Sequence, residues 1–477
     1  MEIGGNKMTT HSKPKVTLLH ALIPLVYLVS VLIWSVTVSH VDAHIPIMSA
    51  AIVALVVAMS AGVKWSDLEA GITETIRVSS VALVILMIIG MIIGTWIIGG
   101  IVPTMIYYGV QILTPGIFLV ATTLICSIVS VATGSSWTTA GTVGIALIGV
   151  GQTLGIPLPM IGGAIISGAY FGDKMSPLSD TTNLAPAMAG ADLFDHIRHM
   201  FYTTGPSLII SLILFGVLGM KYAGNTMDAT NIELIVNGLN ANFNINPIML
   251  IPPVLVIALV VLKIPAIPGL LAGTVIGGIF AALFQGAGLA DIINAAHYGY
   301  ESATGVELLD SLLSRGGMDG MMWTLSLILS AMTFGGIMEK SGMLQAIADQ
   351  IMKLAKSTGS LVVATVLTSA SFNLIAGDQY LSIVIPGRMY KDIYAQRGLA
   401  PKNLSRCLED SGTLLSPLIP WNTCGAFMIT TLGLAPFTYI PFCFLNLINP
   451  LVSIFYGFTG LTMHKLETVE EAEEMTA

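Results

Sequence analysis

A polar segment at residues 171–183 (Phe-Gly-Asp-Lys-Met-Ser-Pro-Leu-Ser-Asp-Thr-Thr-Asn) interrupts a long apolar region and limits what the chain can fold into. Each charge of Asp173, Lys174 and Asp180 costs about 3 kcal/mol or more near the centre of a bilayer. Pro177 removes a backbone donor and breaks a regular helix. The segment therefore predicts a broken membrane helix, which is tolerated only where it is buried in protein or lines an aqueous cavity.

The composition places the whole chain in a membrane. Of 477 residues, 54% are hydrophobic and 10% are charged, whereas soluble domains carry about 25% charged residues. Apolar runs of about 20 residues recur along the chain, as an α-helical multi-pass protein requires. The four cysteines lack metal-ligand spacing and are expected to serve packing. We expect lipid around the protein and no nucleic-acid partner.

The apolar runs predict an all-α membrane protein with about ten transmembrane helices and two re-entrant hairpins, because each hairpin arm of about 15 residues is too short to cross alone. A first repeat (16–222) and a second (246–460) are flanked by a cytoplasmic tail at 1–15, an extracytoplasmic linker at 223–245 and an acidic cytoplasmic tail at 461–477. The predicted hairpins are 116–151 and 359–387, and the predicted broken helices are 157–190 and 403–433. The other predicted spans are 16–38, 45–63, 79–101, 205–222, 246–263, 266–286, 321–340 and 436–460, with surface segments at 64–78, 191–204, 341–356 and 388–402.

Internal similarity indicates a duplication. The segment 114–124 aligns with 357–367 at a shift of 243 residues, and the same shift pairs Gly134 with Gly377. Ser176-Pro-Leu recurs as Ser416-Pro-Leu. An odd number of spans per half turns the second half over, so the repeats are predicted to be inverted.

The distribution of positive charge gives an orientation. With the N-terminus inside, about 16 of the 19 Lys and Arg residues fall in cytoplasmic segments, as the positive-inside rule requires. Lys221 and Arg315 fall outside, and Lys174 lies in the first broken helix. Both termini are therefore expected in the cytoplasm.

Each hairpin tip is expected to meet the broken helix of its own repeat, which gives two polar clusters. Hydroxyl, amide, carboxylate and carbonyl oxygens suit a small hard cation such as Na⁺. A buried aspartate can hold a proton or a cation in alternation, and Asp173, Asp180 and Asp378 are the predicted Na⁺ ligands, followed by Asp410. The full set of predicted ion- or substrate-binding residues is Ser135, Ser136, Thr138, Asp173, Lys174, Ser176, Asp180, Thr181, Thr182, Asn183, Asn373, Asp378, Asp410, Thr413, Ser416, Asn422 and Thr423.

Structural roles compete with these assignments. The aspartates could cap half-helices, and Lys174 could pair with a neighbouring Asp or replace Na⁺ when the ion leaves. Glu409 and Asp410 stand near an expected membrane edge, where a solvated role is an equal alternative. His196 and His199, three residues apart, are expected to be solvated on a surface segment or to sense pH, and not to bind a metal.

Residues 172–183 (Gly-Asp-Lys-Met-Ser-Pro-Leu-Ser-Asp-Thr-Thr-Asn) and 134–141 (Gly-Ser-Ser-Trp-Thr-Thr-Ala-Gly) resemble motifs of the NhaC-type sodium/proton antiporter family. The resemblance covers essentially the whole chain. It implies a branch of the ion-transporter superfamily with elevator-type scaffold and transport domains. It also implies that the protein forms homodimers. It also implies relatives that exchange malate or lactate with Na⁺ and H⁺.

We therefore expect a secondary antiporter of the cytoplasmic (inner) membrane that exchanges Na⁺ for H⁺, with these transported ions and no cofactor. The alternative is a Na⁺- and H⁺-coupled exchanger of small carboxylates, with Ser135, Ser136, Asn422 and Thr423 near the anion. Occluded polar clusters disfavour a channel. The sequence shows no nucleophile–base set or metal-ligand set, so an enzyme is not expected.

Overall fold

The computed structural model describes residues 16–39, 41–223, 229–262 and 264–466. These ranges fold almost entirely into helices, and the bridges found between their extended residues are two isolated pairs, Tyr300 with Arg315 and Leu399 with Lys465. The expected all-α class is confirmed for the described ranges. The predicted tail 1–15 and residues 467–477 of the second predicted tail lie outside them.

The first half of the chain forms ten α-helices, with π-helical turns at Ser35–Ser39 and Ala140–Gly144. In chain order they are α1 (Leu18–Trp34), α2 (His44–Ser60), α3 (Trp65–Ile98), α4 (Ile101–Ile112), α5 (Pro115–Thr133), α6 (Ser136–Thr139), α7 (Ile145–Thr153), α8 (Leu158–Met175), α9 (Asp180–Ala189) and α10 (Leu193–Ala223).

The second half contributes twelve more α-helices within the described residues. They are α11 (Ala229–Asn242), α12 (Ile251–Val261), α13 (Ala266–Phe284), α14 (Leu289–Tyr298), α15 (Glu307–Leu313), α16 (Met322–Lys340), α17 (Met343–Met352), α18 (Thr358–Ile375), α19 (Leu381–Gln396), α20 (Pro401–Leu408), α21 (Thr423–Leu432) and α22 (Phe444–Thr459). A π-helical turn, Glu409–Thr413, continues α20. Helix α11 occupies most of the segment that was expected to be a linker.

Two expected surface segments belong to longer helices. The predicted segment 64–78 and the predicted span 79–101 form one helix of 34 residues, α3. Likewise, 191–204 and 205–222 form α10, which has 31 residues and passes through Pro206 without a break. The separation predicted for these two pairs is wrong, because a change from polar to apolar side chains does not interrupt the backbone hydrogen bonds of a helix.

Six described helices are long and apolar enough to cross a membrane, or seven if the bent pair 233–242 and 247–259 counts as one span. Five shorter apolar helices of 10–17 residues accompany them. The expected total of ten spans stays a prediction. The length expected for the first hairpin arms is wrong, because α5 has 19 residues and α18 has 18, and both are among the six spanning candidates. The six are Trp65–Ile98, Pro115–Thr133, Leu193–Ala223, Ala266–Phe284, Asp319–Lys340 and Thr358–Ile375.

In the first half, α5 and α8 run in the same direction. Thr123 Oγ1 donates to the Ala164 carbonyl at 3.3 Å, and Ser176 Oγ donates to the Val131 carbonyl at 2.7 Å, so positions along both helices increase together. The chain between them, α6 and α7 with their π-helical turn, must therefore return across the same distance. It turns at Gly134, whose φ of 68° is in the left-handed region that favours glycine.

The second half repeats this arrangement. Helices α18 and α19 form a hairpin, with Thr368 Oγ1 and the Tyr390 hydroxyl 2.9 Å apart, and the tip contains Gly377 at a φ of 67°. Helices α9 and α21 both have ten residues and both end at a left-handed glycine, Gly190 and Gly433. The pairs Gly134–Gly377 and Gly190–Gly433 share the 243-residue shift found in the sequence. The duplication itself stays a prediction. The inversion of the repeats stays a prediction.

Close packing of α5 against α8 fixes the position of the first break. A Cβ at Gly172 would lie 2.3 Å from the Val131 nitrogen and 2.4 Å from Ser130 Cβ, so the close approach of the helices requires glycine there. Ser130 Oγ also donates to the Ala169 carbonyl. These contacts hold the end of α8, and with it Asp173, beside the tip at Gly134.

Candidate functional site

Both hairpin tips and both helix breaks meet at one cavity of about 390 Å³. The expectation placed them in two separate clusters, one for each repeat. The polar lining comes from the first tip, the first break, the second tip and the start of α21. An apolar wall from α3 and residues 264–266 completes the cavity. Its polar lining residues are Thr133, Ser135, Ser136, Trp137, Thr138, Asp173, Asp180, Thr181, Gln379, Tyr380, Thr423 and Cys424.

Asp173 is the carboxylate at the junction of the first tip and the first break. It is buried, and its two oxygens accept hydrogen bonds from Ser136 Oγ at 2.6 Å and from Ser179 Oγ at 2.8 Å. Ser136 begins α6 and Ser179 is the N-cap of α9, so both donors are fixed by helix starts. Thr182 Oγ1 donates to the carbonyl oxygens of Asp173 and Lys174, which supplies partners for backbone groups that the break releases.

Asp180 joins the two halves across the cavity. The hydroxyl of Tyr380, from the second tip, donates to its carboxylate. Asp180 Oδ1 also accepts a hydrogen bond from Thr181 N at 2.9 Å, and Thr181 Oγ1 lies 3.1 Å from Ser179 Oγ. Asp180, Thr181 and Asp173 therefore place five carboxylate and hydroxyl oxygens on one side of the cavity.

The second tip and the second break also contact each other. Thr423 N donates to the Gly377 carbonyl at 2.9 Å, and Asn422 Nδ2 donates to Asn373 Oδ1 at 3.1 Å. Asn373 Nδ2 in turn donates to the Gly412 carbonyl at 2.8 Å. Of these residues only Thr423 lines the cavity; the asparagines hold the unwound backbone together.

Asp378, one of the three predicted Na⁺ ligands, does not line the cavity. It is buried against α3, where it accepts a hydrogen bond from Ser79 Oγ at 2.7 Å and another from Leu381 N at 3.0 Å. In this conformation Asp378 connects the second tip to α3 and caps the start of α19.

Lys174 and Asp410 form an ion pair between the two broken helices, and both side chains are 0% exposed. Thr203 Oγ1 and Asn449 Nδ2 also donate to Asp410 Oδ1, at 3.0 and 3.1 Å. Two alternatives were open for Lys174, an ion pair with a neighbouring Asp or replacement of Na⁺. The structure shows an ion pair, and its partner lies 236 positions away in the sequence. The solvated alternative for Asp410 and Glu409 is wrong, because Glu409 is also 0% exposed.

Seven of the predicted binding residues line the cavity: Ser135, Ser136, Thr138, Asp173, Asp180, Thr181 and Thr423. The others support the broken helices. Ser176 Oγ bonds the Val131 carbonyl, and the exposed Asn183 side chain donates to the carbonyls of Pro177 and Ser179. The predicted residues that are outside the lining are Lys174, Ser176, Thr182, Asn183, Asn373, Asp378, Asp410, Thr413, Ser416 and Asn422.

The predicted set lacks six polar or aromatic residues of the lining or its immediate support: Thr133, Trp137, Ser179, Gln379, Tyr380 and Cys424. Trp137 stacks on Phe427 of α21 with ring centroids 4.1 Å apart, which joins the first tip to the second half. All six lie within or beside the polar segments that define the tips and breaks. The sequence could have identified them by this position.

The histidines of α10 are buried, at 0% exposure for His196 and 2% for His199, so the solvated alternative is wrong for them. His196 Nδ1 lies 2.8 Å from Ser405 Oγ. No group of three or more potential metal-binding His, Cys, Asp or Glu side chains occurs within the described ranges. The oxygen-rich lining is the part of the described chain best suited to a cation.

Comparison with known proteins shows to which family the chain belongs. A model of the Na⁺/H⁺ antiporter family matches residues 168–461. The Na⁺/H⁺ antiporter NhaC of Alkalihalophilus pseudofirmus is 40% identical over 456 residues, which cover 95% of this chain and 98% of that protein. The malate-2H⁺/Na⁺-lactate antiporter of Bacillus subtilis is 42% identical over 420 residues, covering 87% of this chain and 90% of its own.

A third relative widens the range of transported solutes. The arginine/ornithine antiporter ArcD of Halobacterium salinarum is 38% identical over 457 residues, which cover 95% of this chain and 94% of that protein. The resemblance of the tip and break motifs to NhaC-type antiporters is thereby confirmed over nearly the full length. The chain is a multi-pass membrane protein, and it belongs to the Na⁺/H⁺ antiporter family.

Proposed function

We propose that this protein is a secondary antiporter that exports Na⁺ in exchange for H⁺, with Na⁺ bound in the cavity between the tips and breaks. The observation that carries the proposal is the pair of carboxylates, Asp173 and Asp180, on the cavity wall together with hydroxyl groups of both tips. Carboxylate and hydroxyl oxygens are the ligands that hard cations prefer.

The hydroxyl groups around Asp173 allow a cation to be exchanged with little rearrangement. Ser136 and Ser179 now donate their protons to Asp173. Rotation of each hydroxyl about its C–O bond would turn an oxygen lone pair towards a Na⁺ ion held by the same carboxylate. We therefore assign Asp173 as the principal Na⁺ ligand and Asp180, on the same wall of the cavity, as the second.

The test is transport by purified protein in proteoliposomes that contain no organic acid. We expect an imposed pH gradient to drive uptake of radioactive Na⁺, and Asp173→Asn to abolish it. Asp67→Asn, which changes an exposed aspartate in the first turn of α3, is the matched control and should transport as the wild type does. Uptake by Asp173→Asn at the wild-type rate and Na⁺ affinity would remove Asp173 from the site.

The cavity volume supports a second candidate, exchange of a small carboxylate coupled to Na⁺ and H⁺. A cavity of about 390 Å³ exceeds the needs of a bare ion and is within the usual range for small organic ligands. Among the described lining residues, however, none is Lys, Arg or His, and the buried Lys174 ammonium is directed to Asp410. The same proteoliposomes discriminate: Na⁺ uptake that requires internal malate or lactate would favour this second candidate.

We further propose that the protein works by an elevator-type movement. Two groups of helices pack mainly within themselves: α1, α2, α3, α13 and α16 in one, and α5, α8, α10, α18 and α22 in the other. The tips and breaks belong to the second group, and the cavity lies where that group faces α3. Sliding of the second group against the first would carry the cavity from one side of the membrane to the other.

Orientation and assembly are proposals of the same kind. The concentration of Lys and Arg in one set of loops supports cytoplasmic termini in a cytoplasmic membrane. The homodimer expected from the family resemblance would place the first group of helices at the subunit contact. Cross-linking in native membranes, followed by denaturing electrophoresis, would detect it.

A further inference from the structure

Four buried carboxylates lie in the tips and breaks, and three of them have hydrogen-bond donors. Asp173 receives two hydroxyl groups, Asp378 receives a hydroxyl and a backbone N–H, and Asp410 receives the Lys174 ammonium with two further donors. Glu409 is the exception. It is 0% exposed, and neither of its oxygens has a hydrogen-bond partner among the described residues. The potential donor beside it is the Thr413 hydroxyl, which also makes no hydrogen bond there.

The difference in donors indicates different protonation states. A carboxylate anion is stable in a protein interior only when charges or donors replace the water that it loses. Asp173, Asp378 and Asp410 meet that condition, whereas Glu409 does not. The nearest cation, Lys174, is directed to Asp410. The neutral, protonated acid is therefore the form of Glu409 that fits this conformation.

The charged surroundings of Glu409 connect it to the cavity. The groups whose fields act on it are Lys174 and Asp173 of α8 and its neighbour Asp410. Other titratable side chains lie on the helices that pack against this π-helical turn, and their hydrogen bonds go to residues other than Glu409. These bonds join Tyr390 to Thr368, Tyr394 to Thr365 and Cys407, and Arg406 to Thr462. A change of charge at Glu409 therefore acts first on the Lys174 ammonium, one residue from the cavity carboxylate Asp173.

We propose that Glu409 carries the exchanged proton at a position separate from the cavity that holds Na⁺; the inference rests on the proposed antiport. An Oε atom binds H⁺ from water on one side of the membrane and releases the same H⁺ to water on the other. The carboxylate left behind shares the Lys174 ammonium with Asp410.

The test is Glu409→Gln, which keeps the shape of the protonated acid and cannot release a proton. In proteoliposomes we expect a Na⁺ gradient to move no H⁺, read from a dye for internal pH, while exchange of radioactive for unlabelled Na⁺ continues and loses its pH dependence. Glu74→Gln, at an exposed glutamate on α3, is the matched control and should keep coupled transport.

If the wild type exchanges Na⁺ for H⁺, two outcomes would overturn this inference and leave the proposed function intact. One is coupled transport by Glu409→Gln with the wild-type pH profile. The other is loss of Na⁺–Na⁺ exchange by a variant that elutes as folded protein in size-exclusion chromatography. If Glu409→Gln does not fold, Glu409→Asp decides: a shifted pH profile of antiport supports the inference and an unchanged profile overturns it. A wild type without coupled transport would overturn the proposed function as well.

Discussion

Lys174 and Asp410 show how a single ion pair stabilises two interrupted helices. The pair is fully buried, and Thr203 and Asn449 also donate to Asp410 Oδ1, whereas Oδ2 has no hydrogen-bond partner among the described residues. Removing one member of a buried pair leaves an uncompensated charge, whereas removing both charges can be nearly neutral. The stability of the broken helices should therefore depend on the pair as a unit.

We expect Lys174→Met to lower the free energy of unfolding by about 3–5 kcal/mol, because Asp410 is left buried without its cation. The double variant Lys174→Met/Asp410→Asn should recover most of that loss, since the asparagine keeps an oxygen for Thr203 and Asn449. Thermal unfolding in detergent measures both variants. A double variant no more stable than the single one would contradict the explanation.

At the scale of residues, the polar side chains that line the cavity were easier to predict from the sequence than the partners they contact. Asp173, Asp180 and the tip serines were predicted to bind the ion because polar side chains inside an apolar segment are costly and typically mark an ion or substrate pathway. The partner of Lys174 and the burial of Glu409 could not be predicted, because they depend on how the second broken helix lies against the first. Asp378 was placed in the site for its residue type, although it bonds Ser79 of α3.

At the scale of elements, the most extensive helix contact of the described chain is the one between α5 and α8. It depends on Gly172, where any side chain would overlap the backbone of α5. Since Asp173 follows directly, the spacing of these helices also sets the distance from Asp173 to Ser136.

We expect Gly172→Ala to destabilise the protein by about 1–3 kcal/mol through overpacking and to reduce Na⁺ transport by displacing Asp173. Gly320→Ala is the matched control, because a Cβ at Gly320 would meet no atom within 4 Å. Thermal unfolding and Na⁺ uptake should be measured on both variants. Equal behaviour of the two would show that α5 and α8 can move apart at no cost.

Helix positions were largely predictable because apolar runs and proline or glycine breaks mark them in the sequence. The breaks at 176–179 and at 414–422 lie inside the segments predicted for them. The pattern of apolar residues did not show that α3 and α10 are continuous helices. Both extend through polar stretches that were predicted to be separate surface segments. A polar helix that leaves the bilayer has the same backbone as the part inside it.

At the scale of the whole molecule, Ser79 of α3 and Asp378 of the second tip connect the two proposed domains, with Oγ and Oδ2 2.7 Å apart. This contact spans the boundary along which an elevator movement would slide. The relation between the two halves, which merges two predicted clusters into one cavity, could not be read from local sequence.

We expect the double variant Ser79→Cys/Asp378→Cys to form a disulfide under mild oxidation and to lose Na⁺ uptake, because the domains are then locked. Treatment with a reducing agent should restore uptake to the level of the unoxidised double variant. The single cysteine variants, which cannot form this bond, control for effects of oxidation alone. Unchanged uptake in the cross-linked protein would exclude sliding at this boundary.

The hydrogen bond between Tyr380 and Asp180 joins side chains 200 positions apart in one chamber. Neither half of the chain, expressed alone, would possess a complete chamber. A premature stop codon anywhere before the second tip would yield a polypeptide with no residual activity, and two complementary fragments would regain it only by assembling with each other.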